Sequence, residues 1–486
     1  MAEIEHASDR HAPAYLAARV LSAIANAASV AIFTRMAPPE VYGQYLIGFA
    51  VCFIVYGFSL QWVIFAHFGN YRRKDADKLA GSVLTISTVL LLPAFGVVAL
   101  LAGIGVLDPA IAAATGFLLL CLMLHFTALE IARSHLMVGA YVAATLARSA
   151  LMLVFGVLAL MQWQSAGALL IAVGFGYALA SLLIFLRVEK PIWVIGFLRP
   201  DRGAIGQLLA YGWPLIIAVG ATAAAINIDR ILLDRLRDSA SVAPYGAVLD
   251  LMKQTFLVVA ESITVGYMSY ARTLHSDGSV GDARQILKRA FVTQCYLVVF
   301  GIAFFILLGD VVFAVLLAPS YVPVALQILP ILLVGNAMLV LRAYYFGQVI
   351  YFNASTTLEL ASSVAMVTVA AACGFVLIPH LGVIGAGIAF SAGQAMALLV
   401  YVAGTPRPLR MPVDWARAGI LALAGVALLV IGFVLKATEP ASVAAIINLI
   451  LISLASAYFL FRWNLFNAWA IARRIGAWIG LRGGAT

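Results

Sequence analysis

The residues of this chain that could do chemistry sit inside apolar runs. Asp250, Lys253, Gln254, Leu257 and Glu261 follow one another at helical spacing within a run near 243–270, so one helix face carries two carboxylates and an amine. Such a face can bind a charged solute, or Asp250 and Glu261 can carry a coupling proton or sodium ion. A structural Asp250–Lys253 pair is the other reading. A milder stripe of Arg19, Ser22, Asn26 and Ser29 lies in the first run. Arg19 there reads either as an anchor reaching for lipid headgroups or as a ligand for an anion. Arg148 and Arg342 pose the same choice. Arg342 has Tyr344 and Tyr345 beside it, a combination suited to a phosphate whose attached sugars stack on the rings. Gln61, next to Trp62, answers to Glu261 at a shift of 200 residues. Glu130 and Arg133 read as a structural pair, and His67 and His125 as packing or cavity residues.

Catalytic signatures are missing. There is no GxxxxGKS or GxxxxGKT phosphate loop, no HExxH and no GxSxG. The four cysteines, Cys52, Cys121, Cys295 and Cys373, lie in apolar runs without metal-ligand spacing. The chain is therefore expected to be no enzyme and to hold no cofactor or metal. Movement of a solute would draw on a proton or sodium gradient, or on the solute's own gradient. The sequon Asn353-Ala354-Ser355 falls on the predicted cytoplasmic side and carries no meaning there.

The elements that must position these residues are membrane helices. Of 486 residues 64% are apolar and 10% charged, against about 25% charged in a soluble domain. Lipid can solvate such apolar faces where water cannot. Apolar runs fall near 14–34, 44–68, 79–103, 110–134, 140–161, 166–187, 207–229, 243–270, 286–308, 324–350, 355–377, 382–403, 415–436 and 440–462. These predict an all-α polytopic membrane protein of about fourteen spans, each near 20 residues. The short apolar piece 310–318 is placed only as a possible extension of the ninth helix. The net charge of +9 does not indicate nucleic acid, because Lys and Arg cluster in alternate connections. Arg72, Arg73, Lys74 and Lys78 form one cluster, Arg187, Lys190, Arg199 and Arg202 the next, and Arg272, Arg284, Lys288 and Arg289 a third. Arg407, Arg410 and Arg417, then Arg473, Arg474 and Arg482, complete the series. The opposite side has only Arg35, Arg230, Arg235, Arg237 and Lys436. By the positive-inside rule both termini are cytoplasmic. The acidic start, with Glu3, Glu5 and Asp9, argues against a cleaved signal peptide. The tail from Trp463 to Arg482 reads as an amphipathic helix on the cytoplasmic leaflet.

A repeat divides the chain. At a shift of 200 residues Thr34-Arg35 meets Asp234-Arg235, and Gly43-Gln44-Tyr45 meets Ala243-Pro244-Tyr245. Ala166-Gly167-Ala168 matches Ile384-Gly385-Ala386 at the opening of a helix. The expected organisation is a six-helix lobe over 1–200, a second over 201–405, and two further helices with the tail over 406–486. An even number of helices per repeat gives both lobes one orientation, with the pseudo-two-fold axis along the membrane normal.

Several short phrases carry a family resemblance. Tyr15-Leu16-Ala17-Ala18-Arg19, Thr34-Arg35 and Pro39-Glu40-Val41-Tyr42-Gly43-Gln44-Tyr45 resemble the bacterial polysaccharide-transporter, O-antigen flippase-like family. So do Ser320-Tyr321-Val322-Pro323-Val324-Ala325 before Ile328-Leu329-Pro330, and Leu377-Ile378-Pro379-His380-Leu381-Gly382-Val383-Ile384-Gly385-Ala386. That family belongs to the multidrug/oligosaccharidyl-lipid/polysaccharide exporter superfamily. The resemblance implies two lobes in a V and alternating access in the bacterial inner membrane. It also implies a cargo, a polyprenyl-diphosphate-linked oligosaccharide, with glycan polymerase and glycosyltransferases as partners. On it, Arg19, Lys253, Arg342 and Arg148 would hold the diphosphate. Asn26, Gln61, Trp62 and Tyr345 would face the glycan. An ion-coupled drug antiporter, a lipid II flippase and a membrane glycosyltransferase or polymerase are the alternatives. Fixed cations in the spans disfavour the antiporter, and the lack of large external loops disfavours the polymerase.

Overall fold

The computed structural model describes residues 2–70, 76–135, 137–187, 197, 200–352 and 356–467. The sequon, most of the C-terminal tail, and Arg72, Arg73, Lys74, Lys190, Arg199, Arg473, Arg474 and Arg482 lie outside them. Every regular element among the described residues is helical, because in hydrocarbon each backbone N–H and C=O must find its partner within the chain. The helices are α1 (Ala2–Met36), α2 (Pro39–Tyr56), α3 (Ala76–Gly103), α4 (Pro109–Ser134), α5 (Val138–Trp163), α6 (Ala166–Phe185) and α7 (Arg202–Leu236). They continue with α8 (Ser239–Ser276), α9 (Val280–Leu316), α10 (Val322–Tyr344), α11 (Thr356–Leu381), α12 (Val383–Gly404), α13 (Trp415–Thr438) and α14 (Ala441–Arg462). α2 passes through a π turn at Gly57–Gln61 into Trp62–Asn70, and α10 runs into a 3₁₀ segment at Phe346–Phe352. The piece 310–318 is mostly the end of α9.

Thirteen of these helices are long and apolar enough to cross a membrane by composition. The fourteenth predicted span, α8, fails that count because of its own charges. Its 38 residues nonetheless reach roughly 57 Å at the helical rise of about 1.5 Å per residue, well over the ~30 Å of a hydrocarbon core. It is tucked between α2, α9 and α10.

Packing repeats with a period of six helices. In the first lobe α1 packs on α5, α4 on α6, and α5 on α6; in the second α7 packs on α11, α10 on α12, and α11 on α12. Side-chain bonds repeat as well. Ser22 Oγ lies 2.5 Å from Ser149 Oγ between α1 and α5, and Thr222 Oγ1 lies 2.8 Å from Ser363 Oγ between α7 and α11. The lobes meet through α2 on α8, α2 on α7 and α1 on α8, a set that a two-fold exchange of lobes maps onto itself. α13 and α14 lie against α9.

The five basic residues of the sparsely charged side are each held. Arg35 on α1 donates to the carbonyls of Ala314 (3.2 Å) and Val315 (2.6 Å) at the end of α9. Arg235 on α7 donates to Gly105 (2.8 Å) and to Val106, just past the end of α3. Each arginine therefore caps a helix of the opposite lobe, and the two contacts are the symmetry mates that the 200-residue shift predicts. Arg237 caps α11 through the carbonyls of Ile378 (3.2 Å) and Pro379 (2.7 Å). Lys436 bonds Asp310 at 2.9 Å, and Arg230 is buried against Asp250. A cation at the negative end of a helix dipole satisfies carbonyls that the helix leaves open.

The α2–α8 crossing depends on Gly43. A Cβ there would sit 1.8 Å from the carbonyl oxygen of Ser239, so the helices could not approach as they do. The phrase between α11 and α12 has a similar cause: Gly382 turns at φ 56°, a region open to glycine, and Gly385 faces the Leu377 carbonyl. Gly43→Val should cost about 2 kcal/mol through overpacking and lower the melting temperature of the detergent-solubilised protein. Gly96→Ala, where an added Cβ meets nothing within 4 Å, should leave it unchanged.

Candidate functional site: a charged layer between the lobes

The polar face of α1 is where the two lobes exchange charge. Arg19 Nη1 pairs with Glu261 of α8, and both side chains are a little over one-third exposed, 38% and 39%. Tyr141 and Tyr344 are electrostatic neighbours of Arg19. One turn on, Ser22 accepts from Arg148 Nη2 at 2.9 Å. Arg148 also donates to Ser149 at 2.9 Å and to Tyr177 Oη at 3.3 Å, and stands 5.2 Å from the Tyr177 ring centroid. No carboxylate lies within 4.0 Å of it among the described residues. Two turns from Arg19, the buried Oδ1 of Asn26 has no hydrogen-bond partner among the described residues.

A second group of charges is packed where α2 and α7 meet α8. Arg230 is buried and its Nη2 donates to Asp250. Asp229, also buried, accepts from Tyr245 Oη at 2.5 Å and from the Arg230 backbone N–H at 3.0 Å. Lys253 Nζ donates to the Ile226 carbonyl at 3.3 Å and stands 5.8 Å from the Phe390 ring centroid. Tyr42 and Tyr45 of α2 are electrostatic neighbours of Asp250 and Arg230. Two carboxylates and two cations thus balance in a place with little solvent, which ionised groups tolerate only when paired.

Arg342 stands on the same side of α12. It is buried, and its Nε donates to Gln394 Oε1 at 3.0 Å. Gln394 is one turn from Phe390, so Lys253 and Arg342 meet neighbouring positions of one helix. Glu359, an electrostatic neighbour of Arg342, accepts from Tyr401 Oη. Tyr344 is electrostatically linked to Arg19, Glu261 and Arg342.

Of the residues singled out from sequence, Arg19 and Glu261 come together between α1 and α8; Asp250 and Lys253 lie two to three turns away along α8, against Arg230 of α7 and Phe390 of α12, and Arg342 meets α12 at Gln394. Arg148 stands apart, inside the first lobe. Neither carboxylate of α8 is free, since arginines hold both, and Asp250 takes Arg230 as its ion-pair partner rather than Lys253. Arg230 is a correction: it reads as a connection charge, yet α7 continues to Leu236 and buries it. Trp62 is buried among Val63, Leu79, Val83 and Leu208, its Nε1 bonded to Ser59 O at 3.1 Å, and Gln61 closes the π turn. Tyr345 is fully buried and donates to the Pro412 carbonyl; the partly exposed ring near the charges is Tyr344. Glu130 does pair with Arg133 at 2.6 Å and with His67 Nδ1 at 3.1 Å. Asp229 was legible in the repeat, since it answers to Ser29 of the α1 stripe at the 200-residue shift.

The helix order, the doubled six-helix packing and the paired lobes define a multi-pass membrane protein with the fold of the MOP-superfamily transporters. Among solved structures, the lipid II flippase MurJ in an inward closed conformation superposes with a TM-score of 0.71, at 11% identity, over 94% of this chain and 100% of that one. An inward-facing multidrug resistance MATE transporter of the MOP superfamily gives 0.58 at 17% identity, over 82% and 95%. A MOP-superfamily transporter from Pyrococcus furiosus, described by the reverse polarity of its binding pocket, gives 0.56 at 16% identity, over 81% and 93%. No protein-family model and no curated protein matches the sequence.

Asp250→Asn would leave Arg230 buried without its counter-charge and should cost about 3–5 kcal/mol, seen as a large loss of monodisperse protein on size-exclusion chromatography. Combining Asp250→Leu with Arg230→Met should recover most of that loss. Equal loss in the single and double variants would mean that the pair is not the source.

Proposed function

We propose that this protein is a flippase that carries a polyprenyl-diphosphate-linked oligosaccharide across the bacterial inner membrane. The lobes of residues 1–200 and 201–405 would alternate access, with residues 406–486 beside them and both termini in the cytoplasm. The observation that supports it most is the Arg19–Glu261 pair: a cation at the lobe interface, partly exposed, whose only carboxylate partner among the described residues comes from the other lobe. A diphosphate brings more negative charge than one carboxylate and can replace Glu261 on Arg19. Arg342 and Lys253 stand ready to share the load, Arg148 offers a further anion contact, and Asn26 and Tyr344 offer hydrogen bonds to sugar. Gln61, Trp62 and Tyr345 would contribute through packing, Trp62 and Tyr345 being buried. The released Glu261, and Asp250 if its arginine moves, can take up a proton or sodium ion, so coupling would follow from partner exchange rather than from a bound cofactor. Glycosyltransferases would supply the lipid-linked unit and a polymerase would consume it.

A drug antiporter of the same fold would need carboxylates free for a cationic drug, whereas both carboxylates of α8 are occupied by arginines. In proteoliposomes holding a labelled polyprenyl-diphosphate oligosaccharide, Arg19→Gln should slow translocation at least tenfold, roughly the 1.4 kcal/mol of one charge-assisted contact. Loss of the gene should abolish a surface glycan and leave lipid-linked units on the cytoplasmic leaflet. An unchanged glycan with altered drug tolerance would favour the antiporter.

Alternating access also requires the Arg35 and Arg235 caps to break. Arg35→Ala with Arg235→Ala should open that end of the bundle, raising thiol labelling of a cysteine placed at Val106 severalfold, with either single variant in between.

A further inference from the structure

Away from the lobe interface, α9, α13 and α14 bring their basic ends to one place. A cavity of about 340 Å³ opens between the third turn of α9, the first turn of α13 and the end of α14, lined by Lys288, Arg289, Asp414, Arg417, Arg462 and Trp463. Arg417 is already positioned: its Nε lies 3.6 Å from Asp414 Oδ2 and its guanidinium 5.7 Å from the Trp463 ring centroid. Lys288, Arg289 and Arg462 have no carboxylate within 4.0 Å among the described residues. Four cations thus share one carboxylate, and like charges gathered so closely call for an anion from outside.

The place in the membrane indicates what kind. The apolar run of α13 begins at Trp415 and that of α14 ends at Arg462, so the cavity sits where hydrocarbon gives way to headgroups. Below it, Leu423 and Val426 on α13 and Leu454 on α14 are exposed and present apolar surface to acyl chains. The volume equals roughly eleven waters at about 30 Å³ each, more than one phosphate fills. Basic pockets between membrane helices suit polyanionic lipid headgroups. None of the lining residues belongs to the charged layer between the lobes.

We propose that this cavity holds the headgroup of a resident phospholipid bearing two phosphodiesters, with its acyl chains against α13 and α14. Lys288, Arg289 and Arg462 bind the phosphates beside the fixed Arg417, and Trp463 marks the interface level. Occupancy would fasten the terminal helix pair to α9.

The test is native mass spectrometry of the full chain in detergent, incubated with cardiolipin, phosphatidylglycerol or phosphatidylethanolamine. The intact protein should retain cardiolipin at least fivefold over the other two. Lys288→Gln with Arg289→Gln and Arg462→Gln should remove that preference, while Lys78→Gln with Arg187→Gln and Arg202→Gln, exposed cations of the first two basic connections, should keep it. Melting temperatures of both triple variants without lipid check that each is folded. Equal cardiolipin retention by the intact protein and the cavity variant would overturn the proposal, as would equal loss in the control triple. Inorganic diphosphate at millimolar concentration should not displace the lipid; full displacement would make this a site for a soluble anion.

Discussion

An ionised side chain inside a lipid-solvated bundle must be neutralised by the protein itself, and much of this molecule is arranged around that requirement. The Arg230–Asp250 contact meets it most completely, with the arginine buried and the aspartate mostly so. Their presence on α7 and α8 forces those helices to the middle of the assembly, where α2 covers them. α8 is too polar to face lipid at all, so its place between α2, α9 and α10 follows from its sequence rather than from any preference in its backbone. The Arg19–Glu261 pair answers the same constraint in a different way. It remains partly exposed, and its two members belong to different lobes, so its neutrality depends on how the lobes stand.

Much of the architecture was legible in the sequence because hydropathy is a sum over many residues. Fourteen apolar runs became fourteen long helices, and errors were confined to ends: α9 absorbs most of 310–318, and α7 continues past 229. The second error had chemical consequences. A charged Asp-Arg at the edge of an apolar run looks like the start of a connection, and only the helix's continuation through Ile231, Leu232 and Leu233 turns Arg230 inward. Pairings were less legible still. Asp250 and Lys253 stand three residues apart on one helix, yet the nearer cation to Asp250 comes from α7, because contact between helices depends on where crossings fall. The crossing of α2 and α8 falls where Gly43 permits it. Tyr344 ends α10 and Tyr345 follows it with a non-helical backbone, φ −131° and ψ −73°, which sends one ring into packing and leaves the other near the charges.

The repeat explains more than the count of helices. Ser22 with Ser149 and Thr222 with Ser363 are one interaction made twice, and the Arg35 and Arg235 caps are another. Where the copies diverge, the chemistry is concentrated: Ser29 on α1 faces Asp229 on α7 in the alignment, and Gln61 faces Glu261. The second lobe has gained the carboxylates, while the first keeps Arg19 and Arg148. A symmetric frame with an asymmetric distribution of charge leaves one ion pair, Arg230–Asp250, packed within the second lobe and another, Arg19–Glu261, partly exposed between the lobes.

The caps made by Arg35 and Arg235 take hold of backbone carbonyls, not of side chains. A carbonyl does not titrate, cannot be removed by substitution, and points only where its helix points. The grip therefore responds to the angle between two helices and to little else: a rotation of one lobe against the other would loosen both guanidinium groups. Such a joint behaves like a dovetail, tight when aligned and loose otherwise. It would let the bundle close abruptly, at any pH, whatever residues line the ends of α3 and α9.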